Sequence, residues 1–90
     1  MFLVEEVVRR GWFRDTVRIR ATQVIDHTEK GLGFDHTGAP AVWEARLAVA
    51  CGRTFEVRLP RGLAEPGRTL TLADVGKAPG LREHWTGWDL

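Results

Sequence analysis

Residues 41–59 alternate apolar and polar side chains with a period of two on either side of a Cys51-Gly52 turn, and few folds satisfy that constraint. Ala41, Trp43, Ala45, Leu47 and Val49 alternate with Val42, Glu44, Arg46 and Ala48. Past the turn, Phe55, Val57 and Leu59 alternate with Thr54, Glu56 and Arg58. Such alternation marks strands with one buried face. A two-residue turn would set Leu47 against Glu56, mixing apolar and charged side chains on one face, which a half-buried sheet rejects. A three-residue Ala50-Cys51-Gly52 loop instead pairs Val49 with Arg53, Leu47 with Phe55, Ala45 with Val57 and Trp43 with Leu59. It also gives Gly52 the left-handed position of a G1 bulge, where a Cβ is costly. On the other face it sets Glu44 against Arg58 and Arg46 against Glu56, pairs worth ~0.2–1 kcal/mol each. The expectation is therefore a hairpin with a charge-balanced outer face.

The rest of the chain reads as further short strands. Residues 16–25 form a long strand with Val17, Ile19 and Ala21 on one side, and its phase shifts near Gln23, where a bulge fits. Residues 26–40 read as a glycine-rich connection containing Gly31, Gly33 and Gly38, with Glu29-Lys30-Gly31 able to close a second hairpin. Pro60 ends the ladder because it lacks an N–H. Residues 68–72 make a short strand burying Leu70 and Leu72, and residues 73–77 a single helical turn. The N-terminal residues 2–10 carry two signals. Leu3, Val4, Val7 and Val8 recur at helical spacing, with Glu5–Arg9 and Glu6–Arg10 as favourable i,i+4 pairs and Gly11 as a C-cap. Three valines in nine residues favour a strand. A short helix is the expectation, with an edge strand as the alternative.

Four or five strands in 90 residues predict a mainly β fold, a small single-domain barrel. In strand count, bulge and hairpin it resembles the Src-homology-3-like and OB-like barrels over residues 12–72, and no family motif accompanies the resemblance. The organisation read from the chain is an N-terminal segment (1–11), a barrel domain (12–80) and an aromatic C-terminal tail (81–90).

Composition narrows the functional classes. A net charge of +1 gives no global pull toward nucleic acid or an anionic membrane. No apolar run approaches the ~20 residues of a membrane span, and Phe2-Leu3-Val4 is too short for a signal-peptide core. One cysteine excludes an intrachain disulfide, and a cytoplasmic protein, or one built into an assembly made in the cytoplasm, is the simple reading. Cys51 has no histidine nearby in sequence to generate a thiolate. No nucleophile elbow, phosphate loop or metal-protease motif is present. Enzyme activity and a cofactor are accordingly not expected.

Three sets of residues remain as candidate sites. Trp85 and Trp88, with Phe2 and Leu3, are the apolar side chains near the two termini, and aromatic anchors are efficient at protein interfaces. They support a non-enzymatic interaction module acting as a subunit or accessory component of a larger assembly, a phage or virion component being one form. The competing use of the tryptophans is to close an open end of the core. Arg14, Arg18 and Arg20 lie along one strand near Trp12 and Phe13, which is the pattern of a small nucleic-acid-binding barrel. Asp26-His27-Thr28 is repeated as Asp35-His36-Thr37, so His27 and His36 are a weak alternative metal pair. Asp and Thr are also ordinary turn residues that bond their own backbone.

Overall fold

The computed structural model describes residues 1–87 and is mainly β. Strands β1 (Phe2–Arg9), β2 (Arg14–Ala21), β3 (Ile25–Phe34), β4 (Pro40–Val49), β5 (Thr54–Pro60) and β6 (Thr69–Leu70) are joined by short connections. A 3-10 turn (Arg61–Leu63), the one-turn helix α1 (Leu72–Val75) and a second 3-10 turn (Arg82–His84) complete the elements. One sheet has the order β5-β2-β1-β6 and the other is the β3–β4 ribbon, all neighbours antiparallel. Together they curl into a half-barrel. No backbone ladder joins the two sheets among the described residues.

The N-terminal segment is a strand, not the short helix its spacing suggests. β1 pairs with β2 along its length and with β6 at its start, and register shifts fall between Val4 and Glu6 and between Val7 and Arg9. Each bulge inserts one residue, so the inward positions run Phe2, Val4, Val7. A bulged strand thus reproduces the three-residue spacing of a helix. The carboxylates that looked like i,i+4 partners cross to β2 instead, where Glu6 pairs with Arg18 and Glu5 with Arg20.

The mid-chain pattern gives the right faces but the wrong partners. β4 pairs with β3, and β5 pairs with β2; the two do not form the expected hairpin with each other. Residues 50–53 turn a corner between the sheets, with the Arg53 N–H donating to the Ala50 carbonyl and the Gly52 N–H to the Ala21 carbonyl. Gly52 has φ +87°, the left-handed conformation expected of it. Ala45, Leu47, Val49, Phe55, Val57 and Leu59 are all buried, and Trp43 packs half-buried against them. Alternation reports which side chains face inward, and a corner between layers satisfies it as well as a hairpin does. The outer charges are re-partnered accordingly: Arg46 makes a bidentate bond to Asp26, Glu44 pairs with Lys30, and Glu56 lies opposite Arg18.

Residues 26–34 are strand rather than loop, so β3 and β4 form a ten-residue ribbon closed by residues 35–39. Glycine makes this possible on its inner face. A Cβ on Gly31 would lie 2.5 Å from the Trp43 indole, which covers the bare backbone from the opposite strand. At the ribbon's end, the Asp35 carboxylate accepts from the Thr37 N–H and hydroxyl and from the Ala39 N–H. The hydroxyl bond to Thr37, followed by the backbone bonds, holds its pKa below the ordinary 3.8.

The tail is the strap that joins the two sheets. The Arg58 N–H of β5 donates to the Pro79 carbonyl, while Thr86 exchanges a pair of backbone hydrogen bonds with Arg46 of β4. Between these anchors Leu81 and Trp85 are buried in the core. Thr71 and Asp74 form a reciprocal capping box on α1, which precedes the strap.

Candidate functional site

Of the two uses that the sequence leaves open for the tail tryptophans, Trp85 takes the structural one and belongs to the core. Trp85 is 5% exposed, its indole N–H donates to the Gly76 carbonyl at 2.6 Å, and its ring meets His27 edge-on at 5.9 Å. Phe2 is fully buried with its ring edge-on to Phe55, and Leu3 is half-buried between Arg20 and Thr69. Phe2 and Trp85 are both buried, and a 90-residue half-barrel needs both to fill its middle. Trp88 lies outside the described residues.

The three arginines of β2 separate in the structure. Arg18 and Arg20 are ion-paired with β1 carboxylates, so each is half of a neutral cross-strand pair. Arg14 is exposed and lines a cleft at the β1–β2 turn. His27 and His36 do not converge. His27 lies opposite Leu47 near the base of the ribbon, with Glu29 3.4 Å away, while His36 sits in the turn beyond the Phe34–Pro40 pair. Seven residue steps of extended chain, about 23 Å, separate that last pair from His27. Their companion carboxylates are already used, Asp26 by Arg46 and Asp35 by its own turn. The Arg46 hydrogen bond also keeps the Asp26 pKa below 3.8. Among the described residues no cluster of three or more His, Cys, Asp or Glu side chains is placed to hold a metal ion. Cys51 is an exposed free thiol in the corner turn, and no helix among those residues is long and apolar enough to cross a membrane.

Two exposed surfaces take the place of the predicted site. The first is the outer face of the distal ribbon, where Leu32 lies opposite Val42 and Phe34 opposite Pro40. Leu32, Phe34 and Val42 are 82%, 70% and 66% exposed. Reading residues 26–40 as a connection hid this face; the signal for it was the Leu32–Phe34 alternation across Gly33. The second is the β1–β2 turn, where Trp12 and Phe13 are 90% and 84% exposed. They border a cleft of about 440 Å³ that is also lined by Arg9, Arg14, Thr16 and Arg58.

The turn itself is braced from below. Asp15 is buried, and its carboxylate accepts from the Gly11 N–H at 3.1 Å and from Arg10 at 3.2 Å, with the Arg61 guanidinium 3.7 Å away. Arg61 in turn donates to the Gly11 carbonyl at 2.6 Å. A buried carboxylate ringed by donors fixes the loop that carries the two rings. No family model, curated protein or solved structure matches the chain.

Proposed function

We propose that this chain is a non-enzymatic protein–protein interaction module, a subunit or accessory component of a larger assembly, and that it meets a second copy of itself through the distal β3–β4 ribbon. The observation that carries this reading is the row of Leu32, Val42 and Phe34 on the outer face, three large apolar side chains in register on neighbouring strands. Contiguous exposed apolar surface of this kind marks interaction sites. The adjoining edge favours a like partner. β3 is paired on one side only among the described residues. Sheet edges are ordinarily guarded by charge, proline or a bulge, and residues 31–34 of β3 carry none of these. Antiparallel addition of the same stretch from a second copy satisfies the open backbone groups and doubles the apolar row. The flanking charges, Asp26 with Arg46 and Lys30 with Glu44, are already neutralised and oppose no such approach.

Light scattering across a wide concentration series tests the reading. A mass that rises to a dimer, and that falls back to the monomer for Leu32→Asp and Val42→Asp, is the expected result. A monomer at every concentration, or association that both variants preserve, overturns it. Both side chains are exposed, so neither variant threatens the core.

A further inference from the structure

The cleft at the β1–β2 turn has a charge arrangement quite different from the sheet beside it. Arg9, Thr16 and Arg58 are direct cross-strand neighbours, on β1, β2 and β5, and form one row across the outer face. Adjacent strands lie about 4.8 Å apart, so the two guanidinium stems stand roughly 10 Å from one another with the small Thr16 between them. Arg14 closes the row at its open end, and Trp12 and Phe13 rise beside it. Among the described residues no carboxylate lines this cleft. Arg9 and Arg14 have no ion-pair partner among the described residues, and the Arg58 charge helps to lower the pKa of Glu83. Three formal positive charges thus gather in one place on a chain whose net charge is +1.

The next row of the same sheet is Glu6, Arg18 and Glu56, net negative. An anion is therefore attracted at the turn and repelled further along the sheet. The opening continues the other way: a second concavity, of about 240 Å³, shares Arg14 and Arg58 and extends to Lys77. Its one carboxylate among the described residues, Asp74, is occupied by the Thr71 hydroxyl and N–H.

We propose that this cleft binds the end of a single-stranded nucleic acid, with a base stacked on Trp12 or Phe13 and the adjoining phosphates held by Arg9, Arg14 and Arg58. Exposed rings beside unpaired guanidiniums supply the two interactions that single strands require, stacking and phosphate neutralisation. The concave shape distinguishes this ligand from a bilayer, because Thr16 is half-buried at the floor of the cleft, where a flat lipid surface does not reach. Bracing by Asp15 and Arg61 holds the turn backbone at Gly11 next to the two rings, which reduces the ordering cost on binding. The acidic second row limits contact to a short stretch of strand and leaves Arg18 and Arg20 outside the site.

Fluorescence anisotropy of a labelled short oligothymidylate, titrated with the full chain, tests this. Binding is expected with a salt slope of about −2, the value for three phosphates on a single strand. Trp12→Ala is expected to weaken it roughly ten-fold or more, and Arg58→Ala to flatten the slope. Arg18→Ala, outside the cleft, leaves both unchanged. An abasic strand of the same length binds markedly more weakly. The proposal is overturned by absent binding, by equal affinity for the abasic strand, by an Arg18→Ala loss equal to that of Arg58→Ala, or by Trp12-dependent binding to phosphatidylserine vesicles without binding to the oligonucleotide. Self-association through the distal ribbon is scored separately, on Leu32→Asp, so either result stands without the other.

Discussion

Replacing Trp85 by alanine separates a structural tail from a docking tail. An aromatic ring buries roughly 150–250 Å², which at about 25 cal/mol per Å² gives an upper value of ~4–6 kcal/mol. Large-to-small substitutions at such sites cost about 3–5 kcal/mol once partial collapse is allowed for. A second loss is polar: the Gly76 carbonyl, now receiving the indole N–H at 2.6 Å, is left without that donor. Trp85→Phe keeps a ring and removes the N–H, so this polar loss of roughly 1–3 kcal/mol is joined only by the smaller volume of the phenyl ring. Set against a total stability of about 5–13 kcal/mol for a chain of this length, Trp85→Ala leaves the fold marginal and Trp85→Phe leaves it intact. Urea denaturation followed by far-UV circular dichroism measures both, with unchanged m-values required for a clean comparison. A Trp85→Ala midpoint corresponding to less than about 1 kcal/mol of destabilisation, with self-association abolished, would falsify the assignment of Trp85 to the core.

Three further perturbations report on other parts of the structure. Gly31→Ala forces a methyl into the Trp43 indole and is expected to cost ~1–3 kcal/mol, with displacement of the indole visible as a shift in its NMR resonances; wild-type stability and spectra would show that the ring does not lie over the bare backbone. Asp15→Ala removes the brace of the β1–β2 turn, so hydrogen exchange at the Gly11 amide accelerates and stability falls by about 1–3 kcal/mol; an unchanged Gly11 exchange rate refutes the bracing. Asp35 has a folded pKa below 3.8, held there by the bonds from Thr37 and Ala39, so its contribution is complete above 3.8 and is lost as pH falls through the lower folded value. The Thr37 and Ala39 amide shifts should therefore titrate with a midpoint below 3.8; a midpoint above 3.8 contradicts the Asx-type turn.

Burial was the legible part of this chain, and pairing was not. Val17, Ile19, Leu47, Phe55 and Val57 sit inside as their alternation requires, and Gly52 adopts the backbone that only its lack of a Cβ makes easy. Alternation has no memory of which strand lies alongside, so β4 and β5 looked like partners when each pairs elsewhere. Bulges do further damage: two extra residues in β1 turned a strand's period into a helix's. For the candidate sites, the ambiguity of aromatic side chains decided the outcome. Trp85 at the end and Trp12 in a turn look equally available in sequence. Only the strap, anchored at Arg58 and Arg46, buries the first and leaves the second in water.

The apolar row of the distal ribbon plays no part in the packing of the fold, and this is what supports the proposed self-association. Its proximal half is tied down three ways: Arg46 bridges to Thr86 and to Asp26, Lys77 reaches Glu29, and Leu47 and Val49 sink into the core. Beyond Trp43 those ties end. Gly31 and Gly33 leave the inner face of β3 without side chains, and the Trp43 indole covers Gly31 from across the ladder. Leu32, Phe34 and Val42, on the opposite face, add nothing to the core and leave large apolar side chains in water. A two-stranded ribbon is at best marginally stable alone, and a third strand with an apolar face relieves that weakness. The same three side chains that burden the isolated chain are the ones a second copy would cover.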